Sequence, residues 1–187
     1  NKQNQFLINL KFLKFLLFYP LLISIPFSNN IEVKAGMEFQ WDQDSGYKRL
    51  KWYQKENGSR SRNTIFFFLR PNDRKADLLK ITIKIPKTFK STLKEEKISL
   101  CRVNIGGFDS RTNCIEDIPA DIEINENNTS LDIFPYNPIL RSKDSYAIVF
   151  KVFNPRRSGL YQFHSYGQYV GKNPVSTYLG SSTIRID

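Results

Sequence analysis

Histidine occurs once in the 187 residues, methionine once, and cysteine and tryptophan twice each. So few imidazoles and thiols exclude most metal-centred and cysteine-based chemistry. A zinc tetrahedron built on Cys101, Cys114 and His164 would still need a carboxylate. No glycine-rich phosphate loop and no serine nucleophile elbow is present. Acidic residues are also scarce: 18 Asp and Glu stand against 28 Lys and Arg, a formal charge of +10 at pH 7. That imbalance bears on partners rather than on fold.

Long apolar runs are missing too. The uncharged run Phe15 to Phe27 follows Lys2, Lys11 and Lys14 and precedes the small-residue site Val33-Lys34-Ala35. At about 1.5 Å per helical residue it reaches about 20 Å of a hydrocarbon core about 30 Å thick. Residues 1–35 therefore read as a cleaved secretory signal, with an uncleaved N-terminal anchor as the alternative. The mature chain is expected to begin near Gly36 and to reside in the periplasm or outside the cell. A polar basic arm over 36–62 and a β-sandwich over 63–187 complete the expected organisation.

What the remainder has is alternation. Ile81, Ile83 and Ile85 share one face against Lys80, Thr82 and Lys84, and Pro86 ends the run. Tyr146, Ile148, Phe150 and Val152 share another, and Tyr161 with Phe163 opposes Gln162 with His164. Thr64 to Leu69 reads as a central strand. Ile122 to Ile124 and Leu131 to Ile133 flank the turn 125–128. Seven to eight short strands, frequent turn signals and no helical periodicity predict an all-β, immunoglobulin-like sandwich.

Cys101 and Cys114 fit this reading. If Gly107-Phe108 is a two-residue hairpin loop, Gly106 pairs with Asp109 and the two cysteines fall opposite one another at a non-hydrogen-bonded pair. A disulfide-closed hairpin is expected, which agrees with export. Two reduced, buried thiols are the other option.

For function, the most cationic region runs from Lys48 to Lys75, with Trp52 and Tyr53 inside it. Arg49, Lys51, Arg60 and Arg62 are the candidate anion-binding residues, against the plainer reading of a charge-guarded sheet edge. No catalytic residue, cofactor or metal is expected. On strand parity, His164 points away from Tyr161 and Phe163, and Asp121 with Glu123 lacks the split environments of an acid and base pair. The acidic neighbourhood of Glu116, Asp117, Asp121, Glu123, Glu126 and Asp132 lacks the order of a calcium loop. Asn57, Asn127 and Asn128 head glycosylation sequons, which matter only on a eukaryotic secretory path.

Phe153, Asn154, Pro155, Gly159, Tyr161, Gln162, Phe163, Gly171, Pro174, Tyr178, Leu179 and Gly180 together resemble the C-terminal signature of a cyanobacterial family of secreted or periplasmic proteins, domain of unknown function 2808. Gly106-Gly107-Phe108, Cys114, Ile118-Pro119-Ala120 and Ile133-Phe134-Pro135 fit the same pattern, so the resemblance covers roughly residues 63 to 187. It implies a compartment and relatives, and no chemistry. The expected role is a non-enzymatic structural or protein-interaction module of the cell envelope, with an unknown envelope protein as partner. The alternative is a module binding an anionic envelope polymer, or touching a membrane peripherally, through the basic region. Nucleic acid is not an expected partner for an exported chain.

Overall fold

Strand parity in the sequence becomes two packed sheets in the computed structural model, which describes residues 46–172 and 175–187. The expected leader and the first part of the expected arm lie outside the described residues. Ten strands follow in order: β1 (Trp52–Gln54), β2 (Arg62–Leu69), β3 (Leu78–Lys84), β4 (Ile98–Asn104), β5 (Asn113–Ile118), β6 (Ala120–Ile124), β7 (Ser130–Pro135), β8 (Tyr146–Phe153), β9 (Gly159–Tyr169) and β10 (Ser176–Ile186). One five-stranded sheet has the order β1-β2-β8-β4-β5 and the other β10-β9-β3-β7-β6.

An immunoglobulin domain of the constant type opposes strands A-B-E-D to G-F-C. Here β1-β2-β8-β4 takes the first arrangement and β10-β9-β3 the second, in the same chain order. The three strands β5 to β7 are inserted between the D-type and E-type strands and widen both sheets. That insertion is why the strand number exceeds the seven to eight expected. A second hallmark is at the start of β9, where the Tyr161 hydroxyl donates to the Arg157 carbonyl at 2.6 Å. This is the tyrosine corner of such folds.

The inner faces supply the core. Phe67, Phe150 and Phe163 are at most 1 % exposed and sit among Ile65, Ile81, Ile83, Leu131, Ile133 and Ile148. Each buried aromatic of this size withdraws 150–250 Å² from water, at roughly 25 cal/mol per Å². The sheet containing β2 and β8 is apolar on its other face as well, where Phe66, Phe68, Cys101, Val103, Ala147 and Val149 form a separate buried cluster.

Cys101 and Cys114 are joined in a disulfide with their Cα atoms 5.7 Å apart. The register differs from the expected one. Cys114 pairs with Val103 and Cys101 with Asp117, with a register shift between Arg102 and Val103. The hairpin does not turn tightly at Gly107-Phe108: residues 105–112 form the connection, and Gly107 N–H donates to the Ser110 carbonyl at 3.0 Å. The bulge leaves the two cysteines diagonal across the ladder, still within bridging distance.

The basic stretch that reads as an arm is integral to the sandwich from Lys48 onward. Leu50 N–H donates to the Ser181 carbonyl at 2.8 Å and Ser181 N–H to the Lys48 carbonyl at 2.7 Å, so this segment edges β10. It then crosses over as β1, pairing Trp52 with Phe67. Between the two, Leu50 is 1 % exposed in the core.

Candidate anion-binding surface

The four candidate cations do not share one site. Lys51 accepts a backbone hydrogen bond from Phe68 at 3.1 Å, at the Leu69 end of β2, whereas Arg62 begins that strand. At about 3.3 Å per residue the two positions lie about 20 Å apart. Arg49 and Lys51 join Trp52 and Arg70 around a shallow recess of about 480 Å³. Arg60, at φ 58°, occupies the turn before β2 at the opposite end. One continuous basic string in the sequence becomes two patches because β1 and β2 run the charges down the full height of the sheet.

Several cations of the region serve the fold. Asp73, 2 % exposed, receives Arg70 at 3.0 Å and Lys48 at 3.5 Å. Arg74 is itself 2 % exposed. Its guanidinium donates to the carbonyls of Leu69 at 2.6 Å and Asp144 at 2.9 Å and lies 4.8 Å from the Tyr146 ring centre. Burial lowers its pKa from the ordinary arginine value, against the raising influence of Tyr146 and Asp73. Neither Asp73 nor Arg74 is available to a ligand.

Arg62 is different. It is exposed, with its guanidinium 5.5 Å from the centre of the Phe153 ring, and Phe153 is 56 % exposed. Both line a groove of about 720 Å³ with Lys94, Lys97 and Lys151. These three lysines come from the turn before β4 and from β8, far from Arg62 in the chain. No local run of basic residues announces the group; only the pairing of β8 with both β2 and β4 assembles it.

The catalytic candidates are held in other ways. His164 Nδ1 and Ser181 Oγ share a hydrogen bond of 2.6 Å, and Ser181 Oγ also bonds the Tyr178 hydroxyl at 2.5 Å. A serine beside a histidine has the composition of a nucleophile and base. Ser181, however, is 0 % exposed, and Lys48 and Leu50 bond its backbone. The arrangement ties β9 to β10. The hydroxyl of Tyr136 donates to Asp121 at 3.0 Å, and this bond raises the phenol pKa above the ordinary value of 10.0. The remaining acids are divided between the sheets: Glu116 on β5 pairs with Arg102 at 2.9 Å, and Asp132 on β7 with Lys80 at 3.0 Å. Among the described residues, no three metal-ligating side chains converge.

No curated protein matches this sequence. Among solved structures, the chain is similar to the collagen-binding domain of a Staphylococcus aureus adhesin, at 13 % identity and TM-score 0.40, over 72 % of this chain and 95 % of that one. It is also similar to the collagen-binding subdomain of the Enterococcus faecalis surface protein ACE, at 13 % identity and TM-score 0.45, over 74 % and 97 %. An uncharacterised Nocardia farcinica protein with an immunoglobulin-like fold resembles it at 10 % identity and TM-score 0.41, over 74 % and 97 %. Residues 39–186 match the model of DUF2808, a family of proteins of unknown function, and the chain belongs to that family.

Proposed function

We propose that this chain is an exported, non-enzymatic interaction module of the cell envelope. One observation carries the reading: most of the buried polar side chains are committed to internal bonds, and the open surface carries the unpaired charge. Asp73, Arg74, Asn63, Asn154 and Ser181 are all at most 4 % exposed and all hold the chain to itself. The disulfide supports export, because cytosolic thiols are kept reduced.

The groove lined by Arg62, Lys94, Lys97 and Lys151 favours a second reading, a module that binds an anionic polymer. Salt separates the two, because exposed charges are screened within about 10 Å at 0.1 M. The test is a pull-down from envelope extract with the full chain at low and high salt. A protein partner retained at high salt supports the first reading. Capture of polymer alone, lost as salt rises, moves the assignment to the second. Turnover of an envelope substrate by the purified protein would remove both.

A further inference from the structure

We propose that the groove floored by Lys151 and Phe153 is a track for an extended acidic polysaccharide, an inference that rests on the polymer-binding reading above. The register builds it. Arg62 pairs with Phe153 and Thr64 with Lys151 across β2 and β8. On the other side Ile98 pairs with Phe150, and Lys97, at the end of the 3-10 turn that leads into β4, lines the groove together with Lys151. Two ammonium groups lining one groove repel each other, and an anion placed between them relieves that repulsion.

Among the described residues, no carboxylate lies within ion-pair distance of Arg62, Lys97 or Lys151. Lys94 reaches Glu96 at 3.9 Å, but both side chains are more than 60 % exposed, and such pairs are weak. The Ser91 hydroxyl donates to the Phe153 carbonyl at 2.7 Å, which fixes the wall of the groove to its floor.

The groove does not stop there. Thr92 also lines a second recess of about 620 Å³, shared with Lys87, Lys90, Asn127 and Asn128. Neither recess has an acidic lining residue. Two open recesses meeting at one threonine, with cations in both, suit a chain better than a single small anion. The lysines match acid groups, the exposed face of Phe153 matches a sugar ring, and Thr92, Asn127 and Asn128 match hydroxyls. Single-stranded nucleic acid is held by successive aromatic platforms, whereas the exposed aromatic here is Phe153 alone among the described lining residues.

The test uses the full chain, with polygalacturonate, neutral dextran, a single-stranded oligonucleotide and phosphatidylcholine/phosphatidylglycerol vesicles as probes at low salt. Wild type is expected to bind polygalacturonate in preference to the others. Lys97→Glu with Lys151→Glu should weaken that binding by about tenfold or more, equivalent to at least about 1.4 kcal/mol. Phe153→Ala should weaken it several-fold, and Arg49→Glu with Lys51→Glu should leave it within about twofold, since those residues lie at the other end of the sheet. Thermal unfolding confirms that each variant is folded. The proposal is overturned by failure of wild type to bind polygalacturonate, by equal losses in both double variants, or by tighter binding to oligonucleotide or vesicles. A salt-resistant protein partner would still support the interaction module when the polysaccharide arm fails.

Discussion

Phe67 on β2 and Phe163 on β9 touch across the sandwich with ring centroids 4.9 Å apart. Phe163 stands two residues after the corner Tyr161, where antibody domains place the second cysteine of the bridge between strands B and F. An aromatic contact therefore joins the sheets where those domains use a disulfide, and Phe150 and Phe89 close around Phe163 at 6.4 and 5.1 Å. Phe163→Ala should cost about 3–5 kcal/mol, the range for a large core aromatic. Leu160→Ala, at a position 71 % exposed, should change little. Urea unfolding of both variants decides this: comparable midpoints would mean that the contact is dispensable.

The disulfide has a different task, because Cys101 and Cys114 lie within one sheet, on β4 and β5. It ties the first inserted strand, β5, to β4 and does not join the layers. Cys101→Ser and Cys114→Ser should each cost about 3 kcal/mol by the loop-closure estimate, and the double variant should cost about the same as either single one. Additive losses would show that each thiol contributes by its packing and not through the bond. Thiol titration of the unreduced, unfolded wild type should find no free sulfhydryl.

Asn63 and Asn154 form a buried amide pair, Nδ2 of Asn63 donating to Oδ1 of Asn154 at 2.9 Å. The Asn154 amide also donates to the Gly58 carbonyl at 2.8 Å, and Asn63 Oδ1 accepts from Glu56 N–H at 3.0 Å. The pair thus ties the turn between β1 and β2 to the end of β8. Asn154→Leu leaves the buried Asn63 Nδ2 without its acceptor and should cost about 1–3 kcal/mol. Hydrogen exchange should show the loss concentrated at residues 56–61. Uniform loosening of both sheets would contradict this local role.

These two asparagines also mark the limit of what the sequence reveals. Asn154-Pro155 is legible as a turn signal, but that its amide secures a turn nearly a hundred residues earlier is a fact of packing. Parity made the faces of β3, β8 and β9 legible, because a half-buried strand must repeat every second residue. The cysteine register was not legible: a bulge and a longer connection break the simple count that set Cys101 opposite Cys114. The basic patch misled in a related way. Arg49 and Lys51 are neighbours of Arg62 in the chain but not in space, whereas Lys97 and Lys151 reach it through strand pairing.

Gly180 stands at the register shift in β10, with φ at +146°, and a Cβ there would lie 2.6 Å from the Lys48 carbonyl oxygen and 2.7 Å from Leu50 Cγ. Only glycine lets the segment around Lys48 and Leu50 approach β10 closely enough to make the two backbone hydrogen bonds with Ser181. Gly180→Ala meets a positive φ and a backbone atom that has no flexible end to give. The expected loss is about 1–3 kcal/mol. The loss should also be local in character: this edge should detach first, exposing Leu50, while the aromatic core around Phe67 and Phe163 remains protected. Measured by hydrogen exchange, the Leu50 and Ser181 amides should lose protection well before those of β8. Unchanged protection at those two amides in Gly180→Ala would show that the edge tolerates a side chain there, and the close approach would then have no energetic weight.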